Sequence, residues 1–420
     1  MDRLIKTVAA QLSPWHNINT MPTFKIITFG CRVNQYESQL YRDQLMEVGF
    51  SETCASQDEK NVDLIIINCC QVTEKARKEA KGKINAIVKE YSNAKIIVTG
   101  CLSKEEISKI KGIEIVDNTK KEKLVSSMYP NVDKNIKNFS GHTRAFIKIQ
   151  DGCNSFCSYC IVPFLRGRSH IRAFDDIMQE IKGLLKKGFK EFLLTGINVG
   201  DFKDLPRLIK TINAMPEVER IRLSSLNVEH VDDLLFETIL ESKKFMPSLH
   251  LSLQSGSDKI LKKMNRKYSS SFYLNIVEKF KKNKNFTFTT DIIVGFPGEE
   301  EEDFLASLQM IRRVGFIKVH IFPFSCKEGT LAATFTDIVK KEDILRRKKT
   351  MAQFAEDIAF QEREKFLGKE MVVLMESKGY GYSENYLSIR GLKGVKNEIL
   401  KAKIVKNDKL GLFGENVYAY

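Results

Sequence analysis

The segment Ala145-Phe146-Ile147-Lys148-Ile149-Gln150-Asp151-Gly152-Cys153-Asn154-Ser155-Phe156-Cys157-Ser158-Tyr159-Cys160 decides how the rest of the chain is read. Its apolar start reads as a buried strand and its Asp-Gly pair as a turn, and three thiols follow within eight residues. Cysteines this closely spaced, in a loop able to curl round a compact object, suit an iron-sulfur cluster or a tetrahedral metal ion. Only three ligands are offered. A structural zinc site wants about four, whereas three leave one iron of a 4Fe-4S cluster open to a further ligand. The plainer alternatives are a zinc loop or small buried cysteines.

Downstream, short apolar runs recur at Glu191 to Thr195, Arg220 to Ser224, Leu249 to Leu253, Thr287 to Val294 and Lys318 to Phe322. Helical stretches such as Phe174 to Lys187 and Ser271 to Lys282 lie between them. With Ala145 to Ile149 this makes six strands alternating with helices, the pattern of a partial TIM-like (β/α)6 barrel. Functional groups then belong at the strands' carboxyl ends. Thr195-Gly196-Ile197-Asn198, Gln254-Ser255-Gly256 and Asp291-Ile292-Ile293-Val294-Gly295 lie at or near such ends. Gly196 lets the backbone approach a ligand. Asp291 is the carboxylate most suspected of meeting substrate or cofactor, against the alternative of a strand-end cap. The acidic run Glu299 to Asp303 reads as the first turn of a helix, where carboxylates complement the dipole.

Upstream, a second βα series places strands at Phe24 to Phe29, Asp63 to Asn68 and Lys95 to Thr99. Each ends at cysteine: Cys31, then Cys69 and Cys70, then Cys101. In an open parallel sheet the carboxyl ends share one edge, so three loops deliver thiolates to one place and a second three-cysteine cluster is plausible. Buried free cysteines are the alternative. Cys69 and Cys70 compete, since successive residues of a strand face opposite sides. Cys54 and Cys326 stand alone and read as structural.

At 420 residues, with 43% hydrophobic and 29% charged residues, the chain is expected to form two or three soluble domains. No apolar run is long enough for a membrane span. Residues 1–21 read as a loosely ordered extension in which Trp15 is incidental. Nine cysteines without a secretory signal favour thiolate-metal chemistry in a reducing compartment, the cytoplasm. The net charge of +14 favours a polyanionic partner such as RNA. Lysine-rich residues near Asp133 to Lys137 read as a linker. Lys340 to Phe366 reads as a charged helix packing Ile344, Met351, Phe354 and Ile358 on the barrel. Short strands at Met371 to Met375, Tyr386 to Ile389, Ile399 to Val405 and Asn416 to Tyr420 then suggest a small β-barrel. In it Tyr380, Tyr382 and Tyr386 could stack on bases while Arg390, Lys393, Lys396 and Lys401 meet phosphates, unless the tyrosines are core.

The C-x3-C-x2-C loop resembles the signature of the radical S-adenosylmethionine (SAM) enzymes. The flanking motifs Gly30-Cys31-Arg32-Val33-Asn34-Gln35-Tyr36-Glu37-Ser38, Asn68-Cys69-Cys70-Gln71-Val72-Thr73 and Val98-Thr99-Gly100-Cys101 resemble the methylthiotransferases of that superfamily. His250 to Asp258, Met264-Asn265-Arg266 and Thr290 to Glu299 match the same family, and Gly379 to Tyr386 resembles its TRAM RNA-binding domain. The resemblance runs from Thr23 to the end. It implies an extension (1–21), an N-terminal open parallel α/β domain (22–133), a linker (134–143), a radical SAM barrel (144–366) and a TRAM β-barrel (367–420).

It also implies two 4Fe-4S clusters, one on Cys153, Cys157 and Cys160 that reduces SAM, and an auxiliary one on Cys31, Cys70 and Cys101 that supplies sulfur. The second motif of the family reads Asn-Thr-Cys, which gives the ligand role to Cys70 and leaves Cys69 as a possible substitute. Tyr159, Thr195, Gly196, Asn198 and Gln254 fall where the family binds SAM, and Asp291 is the catalytic candidate. Val33 to Ser38 resembles the branch that thiomethylates threonylcarbamoyladenosine beside the tRNA anticodon, with an electron donor as a further partner and neither membrane nor DNA involved. Two alternatives remain: methylthiolation of a ribosomal-protein aspartate, and a non-catalytic RNA-binding protein that holds metal. Leu226-Asn227-Val228 and Ser325-Cys326-Lys327 depart from the family's Ile-Glu-Pro and Ser-Pro-Arg.

Overall fold

The computed structural model describes residues 21–53, 62–70, 74–101, 107–283 and 285–417. Trp15, Cys54, Gln71 to Thr73 and the last three residues lie outside them. The chain divides into two compact units, one of residues up to Asn138 together with Phe164–Gly167, the other of Phe139–Pro163 and Arg168 onward.

The first unit is a five-stranded sheet in the order Ser51–Glu52, Thr23–Thr28, Leu64–Cys70, Lys95–Cys101, Glu114–Ile115, every pairing parallel. Alternation along Leu64–Cys70 sorts its side chains. Leu64 and Ile66 join Phe24, Tyr41 and Leu45 beneath helix Arg32–Glu47, while Ile65, Ile67 and Cys69 pack with Ala80, Ile84 and Ile87 of helix Glu74–Glu90. Both strands that carry cysteines run two residues beyond the expected ends and take in Cys70 and Cys101.

The stretch expected to be a linker is pinned to this unit. The buried Asp43 carboxylate accepts the backbone N–H groups of Lys137 (2.6 Å) and Asn138 (3.2 Å), and Gln44 donates to the Asp133 carbonyl at 2.7 Å. Burial raises the Asp43 carboxyl above its ordinary range against those bonds.

The second unit contains six parallel strands: Arg144–Lys148, Glu191–Thr195, Arg220–Leu223, Ser248–Leu251, Thr287–Val294 and Lys318–Pro323. They form a three-stranded and a four-stranded sheet, the latter completed by Ser225–Leu226, joined through the parallel bridge of Ile221 to Phe245. The result is the expected partial barrel. Helix Lys341–Glu364 buries Met351 and Ile358. Of the acidic run, Glu301, Glu302 and Asp303 do occupy a helical first turn. Glu299 instead is buried, accepts the Gly295 N–H at 2.7 Å and pairs with Arg347 at 2.8 Å.

A closed five-stranded barrel follows, in the order Glu370–Ser377, Gly379–Ser383, Ser388–Leu392, Gly411–Asn416, Ile399–Asp408. The strand expected from Tyr386 begins at Ser388 instead, because Tyr386 turns the chain with φ +62°. The strand expected from Asn416 ends there. Gly379–Ser383 was not anticipated as a strand, since glycine at alternate positions hides the usual pattern.

This small barrel sits on the amino-terminal mouth of the partial barrel. Arg144, Glu191 and Arg220 are the first residues of three adjacent strands and face one another in register. Arg222 donates to Glu191 at 2.8 Å, and Arg220 lies 3.5 Å from it. The same arginines donate to the carbonyls of Val372, Tyr382, Ser383 and Glu384 at 2.8–3.1 Å. Tyr382 and Tyr386 stack at 4.9 Å beside the Arg144 and Arg222 guanidiniums. Two of the three tyrosines assigned to base stacking are therefore committed to an internal arginine cluster, because a desolvated guanidinium gains from an aromatic face. Arg390 is paired with Asp408 at 2.6 Å, whereas Lys393, Lys396 and Lys401 are exposed.

Candidate active site

In the first unit, Cys31 precedes helix Arg32–Glu47 as its cap, and Cys70 and Cys101 face each other in register at the ends of neighbouring strands. Two glycines make this convergence possible. Gly30 has φ +104°, and a Cβ there would lie 2.3 Å from the Cys70 Cβ; Gly100 has φ +100°, and its Cβ would lie 2.4 Å from the Cys69 carbonyl. Asn34 ties the loops by donating to the carbonyls of Phe29 (2.9 Å) and Cys69 (2.8 Å). Asn68 donates back to the Asn34 carbonyl at 2.9 Å. Cys69 is fully buried in the core on the far face of the sheet, so the pleat turns Cys70 toward the side that holds Cys31.

A buried charged network surrounds Cys101. Arg166 donates through Nε to the Cys101 sulfur at 2.8 Å, bonds the Asn34 side-chain oxygen and lies 3.3 Å from Glu37. Lys121 pairs with Glu37 at 2.7 Å. Burial pushes the Cys101 thiol up to about 12, against the opposing pull of Arg166 and Lys121. Burial likewise holds Cys69 at about 12, well into its protonated range. Three sulfurs gathered beside buried cations fit an anionic thiolate-ligated cluster. Sequence reasoning passed over Arg166, which stands 65 positions from Cys101 and carries no local mark of its role.

In the second unit, the loop of Cys153, Cys157 and Cys160 is held by the segment after Gln254. Ser158 donates its N–H to the Met264 carbonyl at 3.0 Å and its hydroxyl to the Lys263 carbonyl at 2.9 Å. Asn265, at φ +60°, donates to the Phe156 carbonyl at 2.9 Å, where Phe156 itself turns at φ +44°. Arg266 donates to the Cys157 sulfur at 3.3 Å and to the Asn227 side chain at 2.8 Å. Asn227, a departure from the family pattern, thus accepts from the same guanidinium that donates to Cys157. Cys326, in the other departure, is an exposed thiol.

Gln150 joins the ends of the first two barrel strands. It donates to the carbonyls of Asp151 (3.0 Å) and Gly152 (2.7 Å) and accepts the Asn198 N–H at 2.9 Å. Gly196 must be glycine here, because a Cβ would lie 2.8 Å from the Gln150 oxygen. The Thr195 hydroxyl and the Asn198 side-chain oxygen are buried without a hydrogen-bond partner. Buried polar atoms of this kind suit a polar ligand. Tyr159 packs edge-on against Phe296 at 6.3 Å, and burial raises its hydroxyl well above the ordinary range. Gln254, at φ +68°, gives its N–H to the Asp291 carbonyl at 2.8 Å. The Asp291 carboxylate lies 3.3 Å from His250, and His320 on the next strand completes a polar trio.

The partial barrel with a three-cysteine loop at one strand end defines a radical SAM protein. Residues 147–311 match the radical SAM superfamily, and residues 23–119 match a family described only as uncharacterized protein family UPF0004. The chain is 41% identical to the threonylcarbamoyladenosine tRNA methylthiotransferase MtaB of Chlamydia pneumoniae, over 94% of this chain and 98% of that one. It is 38% identical to the MtaB of Thermotoga maritima (87% and 91%). It is 32% identical to a tRNA-2-methylthio-N(6)-dimethylallyladenosine synthase of Clostridium botulinum (96% and 98%). The chain belongs to the radical SAM methylthiotransferase family. In fold it is similar to the radical SAM methyltransferase TsrM of Kitasatospora setae, with a TM-score of 0.55 at 12% identity over 72% of each chain.

Proposed function

We propose that the protein thiomethylates carbon 2 of N6-threonylcarbamoyladenosine beside the tRNA anticodon, in the cytoplasm and with electrons from a separate donor. The observation that carries the substrate is the activity in the names of the relatives at 41% and 38% identity. The trio of His250, Asp291 and His320 supports it, since a threonylcarbamoyl group brings a carboxylate, a hydroxyl and ureido N–H groups, whereas a dimethylallyl group needs an apolar lining. An aromatic C–H bond offers no acidity that a side-chain base could use. When bound, two 4Fe-4S clusters and SAM supply the electron transfer, hydrogen abstraction, sulfur and methyl group that side chains lack.

The chain's own residues bind and orient. Cys153, Cys157 and Cys160 hold one cluster, with Arg266 donating to the sulfur of Cys157. Cys31, Cys70 and Cys101 hold the other. Thr195 and Asn198 offer their unpartnered oxygens to SAM, Gly196 gives its backbone room, and Tyr159 and Gln254 border the same cofactor. Asp291, held by His250, accepts a hydrogen bond from the base's substituent. Exposed Lys393, Lys396 and Lys401 meet phosphates.

The test incubates the anaerobically reconstituted protein with SAM and dithionite. Its substrates, in separate reactions, are tRNA bearing threonylcarbamoyladenosine, tRNA bearing dimethylallyladenosine and a ribosomal protein. Mass spectrometry of the digests is expected to find the methylthio product in the first alone. Product only in the second or third would reassign the substrate.

A further inference from the structure

Arg166 belongs by sequence to the segment that follows the SAM-cluster cysteines, six residues after Cys160, yet Phe164–Gly167 is part of the first unit. Its guanidinium is buried to 5% exposure and donates to the Cys101 sulfur, and the Leu165 carbonyl is held by Asn118 at 2.9 Å. Placing a guanidinium in such a position is costly unless a negative charge meets it. Glu37 supplies one, but Glu37 is shared with Lys121 at 2.7 Å. Arg166 therefore directs a buried positive charge at the Cys101 sulfur. A four-iron core in its oxidised state bears two positive charges and three thiolates bear three negative ones, so a cluster on Cys31, Cys70 and Cys101 has one surplus negative charge. The Arg166 guanidinium meets that charge at a ligand sulfur.

We infer that Arg166 is the counter-cation of the auxiliary cluster and, with Lys121 and Glu37, sets its reduction potential. This rests on the proposed ligand role of Cys31, Cys70 and Cys101. Reduction adds one electron to a site that already bears negative charge, and a guanidinium bonded to a ligand sulfur stabilises that extra charge. Arg166 thus raises the potential and Glu37 lowers it. Arg166 is a positioning and tuning residue, with no contact to substrate required.

The test uses full-length protein with Cys153, Cys157 and Cys160 replaced by alanine, so that only the auxiliary cluster is observed. Its midpoint potential is measured by dithionite titration followed by electron paramagnetic resonance, with iron and sulfide analysis. Arg166→Gln is expected to lower the potential, Glu37→Gln to raise it, and Arg166→Lys to stay near the parent. If Arg166→Gln takes up no cluster, the sign of the shift in Glu37→Gln decides. Unchanged potentials, or two shifts in the same direction, would overturn the inference, because a mere packing defect has no reason to follow charge. A parent without a four-iron cluster would remove the ligand assignment itself and this inference with it, an outcome separate from a loaded parent whose variants do not shift.

Discussion

Two buried carboxylates in this molecule each lie among several cations, and donors of those cations end on different kinds of acceptor. Glu191 lies among Arg144, Arg220 and Arg222 at the mouth of the partial barrel, and Glu37 lies between Arg166 and Lys121 in the first unit. Around Glu191 the extra donors end on backbone carbonyls of the C-terminal barrel and on two tyrosine rings. Arg144 also pairs with the Glu376 carboxylate at 3.0 Å. All these acceptors belong to the polypeptide, and the cluster joins two parts of one unit. Around Glu37 an Arg166 donor ends on a cysteine sulfur. A sulfur beside two further cysteines is an acceptor that gains charge when it binds metal. One network holds a fold together, and the other ends on a cysteine that we propose ligates a cluster.

The largest expected effect separates the two cysteines at positions 69 and 70. Cys70→Ala should abolish methylthio product and remove about four irons from the reconstituted protein. Cys69→Ala, a change in the apolar core, should keep the iron and cost about 1 kcal/mol of unfolding free energy in chemical denaturation. Iron lost from Cys69→Ala and kept in Cys70→Ala would reverse the assignment.

Next comes Glu191→Gln, which takes the buried carboxylate from Arg220 and Arg222, while Arg144 keeps Glu376. Denaturation should show a loss of about 3–5 kcal/mol with both cluster signals intact. The arginines hold the Glu191 carboxyl below its ordinary 4.5 despite burial. Its contribution is therefore present above pH 4.5 and fades as pH falls through the depressed value. In the Gln variant that part of the acid dependence should vanish, so unfolding curves at pH 4 and pH 7 should differ less than in the wild type.

Gly30→Ala should act on the other side of the comparison, costing about 1–3 kcal/mol through its positive φ and displacing Cys70, with reduced iron as the sign. The smallest effect belongs to the tyrosines. Tyr382→Leu should lower stability by about 0.5–2 kcal/mol and leave tRNA affinity unchanged. Lys401→Ala should leave stability alone and lower the salt dependence of tRNA binding by about 0.7–0.9 in log–log slope. Affinity lost in Tyr382→Leu at full stability would restore that ring to RNA binding.

Much of this was legible because period and punctuation were strong. Glu191–Thr195 and Thr287–Val294 are strands over the very residues that their β-branched and aromatic composition marked. The gathering of cysteines at one sheet edge followed from strand direction alone, and the pleat separated Cys69 from Cys70. What stayed hidden depends on distance along the chain. Arg166, Gln150 and Arg266 act on residues 48 to 109 positions away, and nothing local marks an arginine that will donate to sulfur. The tyrosines misled for the opposite reason. An aromatic-rich stretch beside lysines looks the same whether its rings await bases or lie on arginines supplied from another strand.

We propose that the first unit holds a second cluster. Iron and sulfide counted after anaerobic reconstitution test it most directly, in the wild type, in the triple alanine variant of Cys31, Cys70 and Cys101, and in that of Cys153, Cys157 and Cys160. About eight irons in the wild type and about four in each variant are predicted. Wild-type iron retained by the variant lacking Cys31, Cys70 and Cys101 would contradict it.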